Sequence, residues 1–197
     1  MPSSLLTRRQ KRKLVSLVIA LALAGATLTA QHYGWIDKAA DELQQVQPGM
    51  YRVTEFADGD TISVDMNGKN ERIRFIGVDT PETHDPRKPV QCFGEAASAF
   101  TKNLVGSQNV RLESDPINTN RDRYNRLLRY VYLPDNTLVN AEIIKQGYGF
   151  AYTGFPFTKS EEFIKYQIEA RIQGKGLWSS CKPSENQYGG FTSNDAQ

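Results

Sequence analysis

Two short turn signals decide most of what the middle of this chain can become. Asp58-Gly59-Asp60 and Asn67-Gly68 divide a strand-like stretch into residues 53–56, 61–66 and 72–78. Asn-Gly and Asp-Gly favour tight hairpins because the central positions of such turns need positive φ. The three segments therefore predict an antiparallel meander. Beyond it the period changes: Phe93, Ala96, Ala97, Phe100 and Leu104 recur at helical spacing over 93–105. Residues 110–113 and 127–133 read as two more strands, and 138–146 as an amphipathic helix stopping at Gly147. Thr158-x-x-Glu161 has the form of a capping box, announcing a last helix that ends at Gly174. Five short strands with helices inserted late predict a mainly β, α+β chain. The expected architecture is a five-stranded OB-fold barrel with three packed helices, rather than a βαβ sheet.

The compact domain is expected over 51–181, preceded by a linker at 31–50. Residues 182–197 carry turn formers and no apolar period, so they are expected to be a flexible tail. With 39% hydrophobic and 23% charged residues, the chain is of ordinary globular composition, which excludes wholesale disorder. Residues 14–30 form an uncharged apolar run directly after Arg8, Arg9, Lys11, Arg12 and Lys13. That is the layout of a secretory signal peptide or an N-terminal membrane anchor, and both readings stay open. The protein is thus expected outside the cytoplasm, secreted or anchored. Removing those five cations from the chain's 24 leaves 19 against 22 anions. The body of the protein has no global basic footprint, so a polyanion must find a local cluster.

Cys92 and Cys181 are the only cysteines. In an oxidising compartment a disulfide between them is the simplest outcome. Two unpaired thiols are the alternative. A metal site is weaker, since His32 and His84 lack the spacing of a zinc ligand set. No heptad or other association signal appears, so a monomer is expected.

Three groups of charged residues stand out. Alternation through 72–78 puts Arg74 on a face with Ile76 and Val78, where a half-buried guanidinium needs an anion: an internal carboxylate such as Asp79, or a phosphate. If the strands pair antiparallel, the head of one (Asp58-Gly59-Asp60-Thr61) lies beside the tail of the next (Asp79-Thr80-Pro81-Glu82). Asp60, Asp79 and Glu82 then share one end of the sheet. Carboxylates so gathered repel unless a cation sits among them, and with a backbone carbonyl they make the hard oxygen set of calcium or magnesium. Each motif alone reads equally well as a turn or a helix cap. The third group, Arg121-Asp122-Arg123-Tyr124-Asn125-Arg126-Leu127-Leu128-Arg129, is the concentrated basic stretch, suited to phosphate forks and base stacking.

The order ADGDTISV, RFIGVDTPET, FGEAASAFTK, DRYNRLLRYVY, LVNAEIIKQGYG and GLWS resembles thermonucleases of the staphylococcal nuclease type, across residues 51–178. The resemblance implies a calcium-dependent nuclease of low sequence specificity that hydrolyses DNA and RNA and leaves 3′-phosphate ends. It implies that Asp60, Asp79 and the carbonyl of Thr80 bind calcium, and that Glu82 positions or deprotonates the attacking water. Arg74 and Arg126 then hold the scissile phosphate, and Arg123 and Tyr124 match positions that contact a terminal phosphate. Asn125 stands where relatives often have glycine, and asparagine tolerates the left-handed region. In 150–157, where relatives place base-stacking tyrosines, the sequence reads FAYTGFPF, leaving Tyr152 or Phe155 as stacking residues. The competing reading is an inactive OB module tethered outside the cytoplasm that binds nucleic acid or protein. Retention of Asp60, Asp79, Glu82, Arg74 and Arg126 together argues against it, since unneutralised carboxylates at a barrel end only cost stability.

Overall fold

A computed structural model describes residues 8–32, 49–83, 89–186 and 190–195. The chain separates into two compact units, residues 1–45 and 46–197. In the first, helix α1 covers Arg8–His32. Among the described residues no helix is long and apolar enough to cross a membrane. Side chains 26–30 of the apolar run lie outside those described.

In the second unit, strands β1 (Met50–Asp58), β2 (Thr61–Met66), β3 (Lys69–Phe75), β5 (Asn109–Glu113) and β6 (Leu127–Tyr132) close into a barrel in the order β1-β2-β3-β6-β5. The expected meander is its first half. β2 pairs antiparallel with β1 and with β3, the latter from Thr61↔Arg74 to Met66↔Lys69. The tight turn between them has Asn67 at φ 56° and Gly68 at φ 87°, the double positive φ that Asn-Gly supplies. β5 pairs antiparallel with β1 and with β6, and β3 pairs parallel with β6, Ile73 opposite Leu127. Ile62, Val64, Ile73, Phe75, Val110, Leu127 and Val131 are buried and form the core with side chains from the covering helices.

Three helices lie against this barrel: α2 (Gly94–Val105), α3 (Val139–Lys145) and α4 (Ser160–Ile172). Buried Asn140 of α3 ties the parallel seam. Its amide nitrogen donates to the carbonyls of Ile76 (2.9 Å) and Arg129 (3.3 Å), and its oxygen accepts from Val131 N–H (2.9 Å). This α+β OB-fold is the expected one. The expected capping box does not form. Thr158 turns both its N–H (2.7 Å) and its hydroxyl (2.6 Å) to Asp115, so α4 starts at Ser160 without a side-chain cap.

Beyond the barrel, β4 (Val78–Asp79) pairs with β7 (Phe150–Ala151), and the short helix α5 covers Leu177–Ser180. Cys92 and Cys181 form a disulfide with their Cα atoms 6.0 Å apart. Of the segment expected to be a flexible tail, residues 182–186 and 190–195 are described. β8 (Ser184–Glu185) and β9 (Phe191–Thr192) form a hairpin, and Phe191 packs on Phe150 and Trp178. Two-residue strands show no periodicity in sequence. They are held here by an aromatic cluster and by the neighbouring disulfide instead.

Candidate active site

The turn before β2 and the chain leaving β3 meet at one end of the barrel, and two glycines permit it. A Cβ on Gly59 would lie 2.8 Å from the Thr80 side chain, and one on Gly77, at φ 72°, would lie 2.6 Å from the Phe157 ring. Gly77 lets the chain turn out of β3 into β4, carrying Asp79 and Thr80 back over Asp60. Thr80 N–H then donates to Asp60 Oδ2 at 2.9 Å.

Arg74, opposite Thr61 in the register, lies between the two aspartates. Its Nη1 contacts Asp60 Oδ2, and its Nη2 donates to Asp79 Oδ1 at 3.1 Å. Of the two anions the sequence left open for this half-buried arginine, the structure thus supplies carboxylates. Asp58, read only as a turn residue, adds a third acid by accepting from Asp60 N–H at 3.2 Å. Burial, then the neighbouring Asp60 charge, pushes the Asp58 carboxyl up to about 7. Asp79 is pushed up to about 6, by burial first, with Arg74 opposing and the Asp60 and Glu82 charges adding to the rise. Burial together with neighbouring acids holds both carboxyls above their ordinary range in spite of an arginine. Hard carboxylate oxygens gathered in this way suit a divalent cation. Among the described residues no group of three or more His, Cys, Asp or Glu side chains could hold a metal by itself. Any cation here would draw the rest of its shell from backbone, water and substrate.

Glu82 follows on the same segment. Its carboxylate accepts from Thr83 N–H (3.0 Å), and its backbone is bracketed by Gln91, whose Oε1 accepts from Glu82 N–H (2.8 Å) and whose N–H donates to Glu82 O (2.9 Å). Arg126 reaches the same end through Thr61, donating from Nη1 to Thr61 Oγ1 at 3.4 Å, while Thr61 donates to Asp60 Oδ1 at 3.1 Å. Asp122 aims Arg126, accepting from its Nε at 2.7 Å and its N–H at 2.9 Å. Burial opposes the Asp122 charge, but the Arg126 bonds outweigh it and hold that carboxyl below the ordinary range. Asn125, at φ 64°, takes the left-handed conformation that turns the chain into β6.

The basic stretch divides into two kinds of arginine. Arg121 donates to Glu71 Oε2 (3.0 Å) and Asn125 O (2.9 Å), and buried Arg129 donates to Asn120 Oδ1 (2.8 Å), so these two brace the fold. Arg123 and Arg126 lie over the ring of exposed Tyr124, 4.8 and 5.5 Å from its centroid. Clustering in sequence cannot say which arginine faces inward. Tyr152 lines a cleft with Asp79, Phe150, Asn186 and Phe191, and Phe155 is exposed with its ring 6.0 Å from that of Tyr152. Reading the sequence missed Asp58, Thr61, Gln91 and Asp122 as parts of this end. Asp58 and Thr61 flank Asp60 in the same turn, which was their signal. Gln91 and Asp122 had none.

A closed OB barrel with carboxylates and guanidinium groups interleaved at one end is a framework equipped to hold and strain a phosphodiester. The comparisons give that class a family. Residues 72–180 match the family described as Staphylococcal nuclease homologue. The thermonuclease of Staphylococcus intermedius is 38% identical over 168 residues, which cover 85% of this chain and 98% of that protein. The thermonuclease of Staphylococcus hyicus is 44% identical over 131 residues, 66% of this chain and 76% of that one. Endonuclease YncB of Bacillus subtilis (strain 168) is 43% identical over 124 residues, 62% and 58% of the two chains. The chain belongs to the staphylococcal nuclease family and is a phosphodiester-hydrolysing nuclease.

Proposed function

We propose that the protein is a calcium-dependent, extracytoplasmic nuclease that cleaves DNA and RNA with little sequence preference and leaves 3′-phosphate ends. The observation that carries this reading is Arg74 bridging Asp60 and Asp79 at the barrel end, with Thr80 folded over Asp60. Asp60, Asp79 and the carbonyl of Thr80 are the residues that would hold the ion. When bound, calcium supplies positive charge to the phosphate's non-bridging oxygens. Arg74 and Arg126 hold those oxygens from the protein side and stabilise the charge that builds up during attack. Glu82 takes a proton from the attacking water. The water oxygen bonds to phosphorus, the bond from phosphorus to the 5′ oxygen breaks, and that oxygen leaves with a proton from solvent.

Arg123 and Tyr124 bind a terminal phosphate, and Tyr152 stacks on a base in the cleft beside Asp79. Residues 14–30 take the domain out of the cytoplasm, as a cleaved signal or a retained anchor, and the Cys92–Cys181 disulfide suits an oxidising compartment. The protein acts as a monomer. The test is digestion of single-stranded DNA and RNA by the purified protein with calcium, with magnesium and with excess chelator, followed by end-group analysis. Hydrolysis with calcium that leaves 3′-phosphates is expected. Equal rates with calcium and with chelator would overturn the calcium mechanism.

A further inference from the structure

The family match ends at residue 180, yet the segment beyond it reaches the residue that holds Glu82. Gln91 is the junction. Toward the site, its side-chain oxygen and its N–H close both backbone groups of Glu82, at 2.8 and 2.9 Å. Away from the site, Gln91 bridges to Asp195, and its Nε2 donates to Ser193 O at 3.4 Å. The next residue is held more tightly. Cys92 N–H donates to Asn194 O (2.7 Å), its carbonyl accepts from Ser193 Oγ (2.8 Å), and its sulfur is bonded to Cys181. Ser193 is buried although its neighbours in sequence are polar.

A glutamine oxygen that accepts a backbone N–H fixes the peptide plane before Glu82, and with it the direction in which the carboxylate leaves the chain. Displacement of a proton acceptor by a fraction of an ångström is costly to catalysis because attack needs a near-contact geometry. The 193–195 segment and the disulfide in turn limit where Gln91 can sit. We infer that Gln91 is a positioning residue for Glu82, and that the segment beyond the nuclease domain contributes to turnover through it. This rests on Glu82 being the proton acceptor of the proposed function.

The experiment is a double-mutant cycle on the full chain with Gln91→Met, which keeps the shape but removes the acceptor, and Glu82→Gln. Gln91→Met is expected to lower kcat about tenfold with KM within about twofold, the pattern of a lost transition-state interaction. In the Glu82→Gln background the same change should lower kcat by less than about twofold, because a positioning role has nothing left to position. Amide hydrogen exchange at Glu82 should quicken in Gln91→Met, a readout independent of activity. Ser193→Ala, a milder change, should lower kcat in the same direction and by less; it decides the matter if Gln91→Met does not fold. If Gln91→Met keeps kcat within twofold, or repeats its full loss on top of Glu82→Gln, the inference is overturned while Glu82 keeps its role. If Glu82→Gln alone keeps more than half of wild-type turnover, the acceptor assignment itself fails, and this inference with it.

Discussion

At Asp115 the barrel surrounds a carboxylate with donors; at Asp79 it surrounds one with other acids. Asp115 accepts from Tyr130 Oη (2.6 Å), from Thr158 N–H and hydroxyl, and from Ile117 N–H (2.9 Å). Burial alone would raise its pKa, but bonds from Thr158 and Tyr130 outweigh that and hold it below the ordinary range. Asp79 has Arg74, shared with Asp60, as its donor; burial first, and then the Asp60 and Glu82 charges, overcome that arginine and raise its pKa to about 6. The first carboxylate is fully answered by the protein and joins the loop after β5 to β6 and to the residues just before α4. The second is left short of positive charge. The two carboxylates differ in burial and in the donors the protein gives them, and the second is the one placed to take a further cation.

The comparison can be broken at either end. The largest expected effects lie on the site side: Glu82→Gln and Arg126→Ala should each lower turnover by roughly 10² or more, with the unfolding midpoint little changed. A steady-state assay beside thermal unfolding checks this, and a variant keeping half of wild-type turnover would return its residue to the structural class. Next comes Asp115→Asn. It should cost about 2 kcal/mol of stability by leaving buried donors without their acceptor, while room-temperature turnover stays within about twofold. Denaturant unfolding measures the first quantity. Asp60→Asn should fall between the two types, raising the calcium concentration for half-maximal activity about tenfold by removing one ligand charge.

The smallest effect is on acid stability. Asp115 has a lowered folded pKa, so its contribution is complete above the unfolded value near 3.8 and is lost as pH falls through the folded one. Unfolding midpoints followed from pH 5 downward should therefore drop less steeply in Asp115→Asn than in the wild type. Parallel curves would mean that this carboxylate is no better stabilised in the folded state than in the unfolded chain.

The contrast also explains what the sequence disclosed. The meander was legible because Asn67-Gly68 and Asp58-Gly59-Asp60 act locally, through φ. Asp60, Asp79 and Glu82 were legible as a group because hairpin pairing fixes which strand ends are neighbours. Asp115 and Thr158 were not legible: their bond joins residues 43 apart, and Thr158 carried a competing local signal in its capping-box spacing. Arg129 and Arg123 look alike in the basic run. Only closure of the barrel decides that one is buried against Asn120 and the other lies over Tyr124. The hairpin at 184–192 was hidden because its stability comes from Phe150, Trp178 and Cys181 rather than from its own pattern.

That hairpin gives the enzyme a clock. As the chain is made, every charged residue of the site, from Asp58 to Arg126, emerges before Phe191, Ser193 and Asn194 exist. The contacts that fix Gln91 and Cys92 are therefore among the latest to form, after the barrel has the strands it needs to close. A nuclease assembled in this order reaches its finished geometry only when synthesis has passed the whole catalytic domain.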